Sequence, residues 1–433
     1  MEKEKGIYFK KLELENVRSF GEKAVFDLTD ENNNWCRWNV ILGDNGLGKT
    51  FLLQLLSGFE YNLNEYKSDK EIKKYHSTTL FKINRKIIIS KNSNLKSKIS
   101  TYLNNNKNVP SLSISANNNQ FINTCNNSIG DNILYFFILG YGANRFMSNA
   151  ELKESKLENS STLFDDDAKL INAEEWLLQL DYAASRDSEI KEYAIEKRNK
   201  IKEVLIELLP DVTNVRFTEP TKEQMIPKVE FKTAFGWFDI RELSLGYKTM
   251  IAWVIDLAAR MFDRYPDAKN PLAEPVVVLV DEIDLHLHPK WQRSIFDFLS
   301  DRFPNAQFIV TAHSPLVVQS APKDANLILL KREQDNEGNE FVSINSDIRS
   351  VHNWRLDQIM TSDLFDIGAR NLEIEKQLEE RKTLLQKESL SEENKIRLEK
   401  LNELAFSLPT ASNPNDIEAM EIIRKAAELI KNK

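Results

Sequence analysis

Two runs in this chain have residue types and spacing suited to phosphate chemistry. Gly43-Asp-Asn-Gly-Leu-Gly-Lys-Thr50 follows a short apolar stretch, Trp38 to Leu42, and precedes Phe51 to Leu56, whose spacing is helical. It fits G-x-x-x-x-G-K-[ST], in which glycines turn backbone amides inward around phosphate oxygens at the N-terminus of a helix. Lys49 is expected to reach the β- and γ-phosphates of ATP and the Thr50 hydroxyl to ligate Mg²⁺. Asn45, Gly46, Gly48 and Phe51 complete the expected nucleotide-binding set. The second run is Val276-Val-Val-Leu-Val280 followed by Asp281 and Glu282. An apolar strand that ends in two carboxylates places them at the sheet edge where α/β folds bind ligands. There Asp281 would hold Mg²⁺ through water, and Glu282 would orient or deprotonate an attacking water.

These residues need a rigid frame. Tyr8 to Val17 alternates like an edge strand, and Ala24 to Leu28 can pair with it as a hairpin. Trp38 to Leu42, Asn132 to Tyr141, Val276 to Val280, Gln307 to Val310 and Ala325 to Leu330 read as further strands. Ala173 to Leu209 reads as two helices, Gly246 to Phe262 as one with Trp253 and Leu257 on its buried side, and Pro289 to about Ser300 as another. Strands alternating with helices imply a mostly parallel sheet, and the valine run implies a strand covered on both faces.

Further runs, taken in their order, resemble a known class. Leu243-Ser-Leu-Gly-Tyr247 stands between the phosphate loop and the acidic strand, and resembles the signature motif of ABC-type ATPases. Thr311-Ala-His313-Ser-Pro315 resembles the switch histidine of the same class. The resemblance implies that Ser244 and Gly246 cap the ATP of a second subunit, so that nucleotide is sandwiched in a homodimer or higher homo-oligomer. It also implies that His313 contacts the γ-phosphate and that Lys49, Glu282 and His313 carry catalysis. Asp281-Glu-Ile-Asp-Leu-His-Leu-His-Pro289 resembles the cytosolic RecF/OLD/SMC-like, AAA15-type branch rather than transporters. In that branch Asp284 would lie in a loop that crosses to the opposite site, and Arg18, in Arg18-Ser-Phe20, would lie near the nucleotide. Tyr141-Gly-Ala-Asn-Arg145 stands where the class places a glutamine-bearing loop, yet has no glutamine. Whether Asn144 or Arg145 takes over that contact stays open. His286 and His288, at i, i+2 spacing without nearby partners, fit loop structure better than zinc.

The fold class that follows is α/β: an ABC-type P-loop ATPase head with a mixed, mostly parallel central sheet, a helical lobe and a C-terminal α-hairpin. The expected division is an ATPase domain over residues 1–330, with a basic, Asn-rich insert at 61–130 and the lobe at 150–233, then a helical tail at 331–433. Residues 371–406 lack Gly and Pro and read as two amphipathic helices broken near Ser389. Ser389 with Glu392 fits a capping box, and Leu398, Leu401, Ala405 and Leu408 form a stripe.

Composition sets outer limits. The chain has 433 residues, 41% of them hydrophobic, and two cysteines. A disulfide framework is excluded, and free thiols fit a reducing cytoplasm. No apolar run is long enough for a membrane span. The net charge of −8 combines a segment, 67–110, with eleven Lys/Arg against two acidic residues, and a −17 remainder. The 67–110 segment reads either as a solvated Lys/Asn loop or as the place where DNA phosphates could be contacted. The tail, with Trp354-Arg-Leu-Asp-Gln-Ile359 and Ser362-Asp-Leu-Phe365, lacks the Asp-x-Asp pair of an OLD-type nuclease domain. It resembles the stand-alone ATPases of bacterial antiphage cassettes of the Septu kind, which work with a separate HNH nuclease. Three readings follow: an ATPase that regulates such a nuclease, a RecF-like DNA-repair ATPase acting as an ATP-gated clamp, and a scaffold in which ATP is a structural ligand with slow turnover.

Overall fold

The computed structural model describes residues 6–21, 23–59, 97–103, 111–117, 120–126, 136–148, 159–209, 211–222, 225–346, 348, 351–367, 370–387 and 391–408. The chain divides into two compact units, Met1–Ile359 and Met360–Lys433.

In the first unit, β1 (Phe9–Glu15) and β2 (Lys23–Asp27) pair antiparallel. β3 (Trp38–Leu42) runs through the glycine-rich turn into α1 (Lys49–Ser57). β4 (Ser97–Leu103), β5 (Ser111–Asn117) and β6 (Gln120–Asn126) extend the first sheet in the order β2-β1-β4-β5-β6. After β7 (Ile138–Tyr141) come α2 (Ala173–Ser185) and α3 (Lys191–Leu208). A three-stranded sheet of β8 (Asn214–Phe217), β9 (Val229–Thr233) and β10 (Gly236–Asp239) leads into α4 (Leu245–Arg264). The rest is β11 (Val276–Val280), α5 (Pro289–Gln292), α6 (Ile295–Arg302), β12 (Ala306–Thr311), α7 (Pro315–Ser320), β13 (Asn326–Gln334) and β14 (Glu340–Asn345).

The central sheet has the order β14-β13-β3-β12-β11-β7. Its pairings are parallel except that of β13 with β14. Every residue of β3, β11 and β12 is buried, which is why these strands read as unbroken apolar runs rather than as alternation. On one face a single apolar cluster joins Leu52, Leu53 and Leu56 of α1 and Phe9, Leu12 and Phe26 of the first sheet to Ile41, Val277 and Ile309. On the other, Trp38 stacks on Phe308 at 4.2 Å and meets Phe296 edge-on at 4.6 Å. Burying one such side chain stabilises the fold by about 1.5–3 kcal/mol. Parallel register then does the positioning. Val280 lies opposite Val310 and Tyr141, and Thr311 opposite Ile41, so the loops leaving β3, β7, β11 and β12 emerge side by side along one edge.

Several expectations need correcting. β1 is not an edge strand, because β4 pairs with its free side. The Asn-rich insert is not all loop: 97–103, 111–117 and 120–126 are strands, and only Asn117, Asn123 and Asn126 of its asparagines fall within them. β-branched and aromatic residues such as Ile99, Thr101 and Tyr102 favour the pleated conformation over what the composition suggests. Residues 61–96 and 104–110 lie outside the described residues, and with them most of the expected DNA-contacting segment. The 150–233 lobe contains β8 and β9 as well as helices. The boundary at 330 falls inside β13, and the sheet continues to Asn345. The helix expected from Pro289 is two helices. The Ser294 hydroxyl donates to the carbonyls of Trp291 (3.4 Å) and Lys290 (3.5 Å), competing for oxygens that an unbroken helix would use.

The second unit contains α9 (Leu372–Leu385) and α10 (Glu392–Ser407), following a short α8 (Leu356–Met360) that ends the first. α9 and α10 form an antiparallel hairpin tied by Arg397 to Glu380 at 2.7 Å. Leu401 is its buried stripe residue, with Leu398, Ala405 and Leu408 half-buried. The cap of α10 is Ser391, whose side chain accepts from the amide of Asn394 at 3.3 Å; Ser389 lies outside the described residues. With Ser391 as cap, Glu392 and Glu393 occupy the first turn, where the helix dipole favours negative charge.

Candidate nucleotide site

The turn after β3 is a loop whose backbone does the shaping. Gly48, the N-cap of α1, has φ +96°, a left-handed conformation that side chains with a Cβ resist. Asn45 and Gly46 are exposed on the loop, and a Cβ at Gly46 would meet nothing within 4 Å. Lys49 is buried and folds back over the loop, donating to the carbonyls of Gly43 (2.8 Å) and Asp44 (2.9 Å). Burial lowers the Lys49 ammonium pKa from its usual value, against the opposing pull of Asp281 and Glu282.

Across the sheet edge, the Thr50 hydroxyl donates to Asp281 Oδ2 at 2.7 Å. The other oxygen of Asp281 accepts from the Thr311 hydroxyl at 2.6 Å. The same Thr311 oxygen accepts from the Glu282 amide at 2.7 Å. Asp284 Oδ2 accepts from the His313 amide at 3.0 Å, while its Oδ1 is buried without a partner. Lys49, Thr50, Asp281, Glu282 and His313 are thus drawn into one cluster. Arg18 joins from the other side, its guanidinium 4.3 Å from the ring centre of Phe51. A threonine hydroxyl against a strand-end carboxylate is an oxygen-donor pair suited to a hard divalent ion. The open cradle at Gly46 leaves room for phosphates beside it. These residues therefore fit Mg²⁺, with Thr50 and Asp281 as its holders.

Glu282 has φ +48°. A left-handed conformation costs a non-glycine residue about 1–2 kcal/mol, and such strain collects at functional sites. Arg145 is 1% exposed. It donates from Nη1 to the carbonyls of Asp281 and Gly142, and from Nη2 to that of Glu282 at 2.9 Å. Burial pulls its guanidinium down to about 10, so it stays charged at neutral pH. Arg145 is therefore engaged with backbone, and Asn144 beside it is half-buried.

Ser244 and Gly246 stand at the N-terminus of α4. Ser244 is exposed and caps α4 in extended conformation, with no side-chain bond to the helix's own amides. Gly246 abuts the loop after β11: a Cβ there would stand 2.5 Å from the His286 carbonyl oxygen. Tyr247 meets Trp291 edge-on at 4.4 Å. Gly246→Ala is expected to push the two segments apart at a cost of about 1–3 kcal/mol, measurable by urea denaturation. His288 serves as the N-cap of α5, its Nδ1 accepting from Lys290 at 3.3 Å.

Residue types and spacing assign no settled role to Thr311 or Arg145. Thr311 had one usable signal, a hydroxyl at the end of the strand beside the acidic one. Arg145 had none, because a surface arginine reads the same.

A mostly parallel sheet with a phosphate loop and an acidic strand end beside it defines an ABC-type P-loop ATPase head. Residues 38–319 match the family described as "AAA domain, putative AbiEii toxin, Type IV TA system", and the chain belongs to that family. Septu protein PtuA of Bacillus mycoides (strain KBAB4) is 29% identical over 367 residues, covering 83% of this chain and 45% of that protein. The Retron Vc95 probable ATPase of Vibrio cholerae serotype O1 biovar El Tor is 33% identical over 182 residues, covering 42% of this chain and 34% of that one. The chain thus spans less than half the length of these curated relatives. A solved SMC head bound to the C-winged helix domain of ScpA superposes with a TM-score of 0.46 and 16% identity, covering 78% of this chain and 98% of that one.

Proposed function

We propose that this chain is a Mg²⁺-dependent ATPase that forms a nucleotide-sandwich homodimer and controls a separate nuclease, of HNH type, in antiphage defence. The observation that carries the ATPase reading is the 2.7 Å bond from Thr50 to Asp281 beside the buried Lys49. It joins the phosphate loop to the acidic strand, two segments far apart in sequence. The defence reading is supported by the Septu and retron names of the relatives.

In this reading the loop amides and Lys49 hold the β- and γ-phosphates, and Lys49 exchanges its two loop carbonyls for phosphate oxygens. Glu282 positions the water for in-line attack, and His313 lies ready to sense the γ-phosphate. Ser244, exposed at the N-terminus of α4, meets the nucleotide of the partner protomer. Mg²⁺, held by Thr50 and Asp281, would neutralise phosphate charge.

Lys49→Ala is expected to weaken ATP binding by about 10- to 100-fold in calorimetry, since it removes a charge-assisted contact to phosphate. Unchanged affinity would show that this loop is not the nucleotide site. Single-turnover phosphate release separates a hydrolase from a scaffold that merely holds ATP. Co-purification with the product of the neighbouring gene tests the nuclease partner: no complex with and without ATP would remove that part of the reading.

A further inference from the structure

We propose that Arg145 is a positioning residue for Glu282, holding the carbonyls of Asp281 and Glu282 so that the glutamate keeps the left-handed backbone that aims its carboxylate. This rests on the reading of Glu282 as the group that positions water.

The peptide groups around Glu282 are held from several sides, and the Leu285 amide also donates to the Glu282 carbonyl at 2.9 Å. Thr311 takes the N–H groups: its hydroxyl accepts from Glu282 at 2.7 Å and its carbonyl from Ile283 at 2.9 Å. Arg145 takes the carbonyls of Asp281 and Glu282 with its two terminal nitrogens. A planar fork fits two successive carbonyls; an ammonium or a carboxamide offers one donor head. Left unheld, a glutamate would relax from φ +48° to a negative value.

The arm that carries Arg145 is itself fixed. The Tyr141 carbonyl accepts from the Asp281 amide at 2.8 Å, and its hydroxyl donates to Asp256 of α4 at 3.0 Å. Gly142 packs so closely that a Cβ would lie 1.9 Å from the Thr162 carbonyl oxygen. The loop therefore cannot slide, and Arg145 transmits its position to Glu282 rather than reaching toward a ligand. The donors of Arg145 that bond the 281–282 carbonyls face the protein's own backbone.

The test compares Arg145→Gln and Arg145→Lys with wild type, with folding checked by thermal unfolding. For Arg145→Gln the ATP dissociation constant is expected to stay within about threefold, while the single-turnover rate constant falls by about 30-fold or more. Arg145→Lys, keeping one cationic donor head, should recover part of that loss. A loss of ATP affinity of about tenfold with an unchanged rate at saturation would overturn the proposal, since it marks a nucleotide contact. So would a wild-type rate in either variant. If wild type itself does not turn over, the hydrolase reading fails separately, and a crystal structure of Arg145→Gln decides: Glu282 at negative φ supports positioning, and Glu282 still left-handed refutes it. If Arg145→Gln does not fold, the same comparison is made on Arg145→Lys, where loss of the Glu282 carbonyl contact must be accompanied by the change in φ.

Discussion

Glu282→Gln is expected to lower the single-turnover rate of ATP hydrolysis by about 100- to 10,000-fold, the range a positioned general base contributes. ATP should remain bound, because Glu282 has no part in the phosphate cradle formed by the loop and Lys49. In the sandwich reading, ATP that is bound but not cleaved holds two protomers together. Size-exclusion chromatography with Mg²⁺ and ATP should therefore show the variant as a stable dimer where wild type is mostly monomeric. A variant that stays monomeric under those conditions would count against the sandwich, and one that hydrolyses at the wild-type rate against the assignment of Glu282. The carboxamide is isosteric with the carboxylate, and the backbone contacts to Thr311 and Arg145 do not involve the side chain, so the fold should be unaffected.

The largest stability effect is expected at Asp256. This aspartate is fully buried in α4 and binds Arg260 Nε at 2.6 Å and the Tyr141 hydroxyl at 3.0 Å. Arg260 in turn donates to Asn159 at 2.9 Å. Asp256→Ala removes a fully buried carboxylate that bonds both Arg260 and the Tyr141 hydroxyl, and should cost about 3–5 kcal/mol in urea denaturation. Tyr141→Phe should cost about 1 kcal/mol, the net worth of one hydrogen bond. The pH dependence has a definite sign. Burial, with Asp256 beside it, holds the Tyr141 phenol well above its ordinary value of 10. The folded state keeps this proton and the unfolded chain releases it. The contribution is thus full below pH 10 and is lost as pH rises further. Wild type should lose stability above that pH more steeply than Tyr141→Phe does; equal slopes would show that Tyr141 is not the group concerned.

Much of this arrangement was legible in the sequence for physical reasons. The valines of β11 could only be a strand covered on both faces, so Asp281 and Glu282 had to stand at a sheet edge. Gly43 to Thr50, set between a strand and a helix, could be read as a turn shaped by its glycines. What composition hid was local alternation. The asparagines around β4 to β6 drew attention from Ile99, Thr101 and Tyr102, and pairing with β1 settled the outcome. The break at Ser294 and the cap at Ser391 each turn on one side-chain hydroxyl, and adjacent serines look alike to any spacing rule. Arg145 and Thr311 acquire their roles from contacts across distant segments, Arg145 to the 281–282 turn and Thr311 to Asp281. Such contacts depend on strand order, which periodicity does not reveal.

The loops that build the site leave neighbouring strands, but the chain between those strands runs elsewhere. The crossover from α1 to β7 already contains residues 61–135, yet β7 pairs with β11 in regular register. Within that crossover β4, β5 and β6 pair onto β1 in a sheet of their own, and the register of the central strands is kept. The central strands can therefore be read as fixed posts whose connections vary independently of them. A fluorescent or affinity domain spliced into such a connection, away from the strand ends, should leave the posts and their chemistry in place, which offers a practical way to follow this protein without labelling its site.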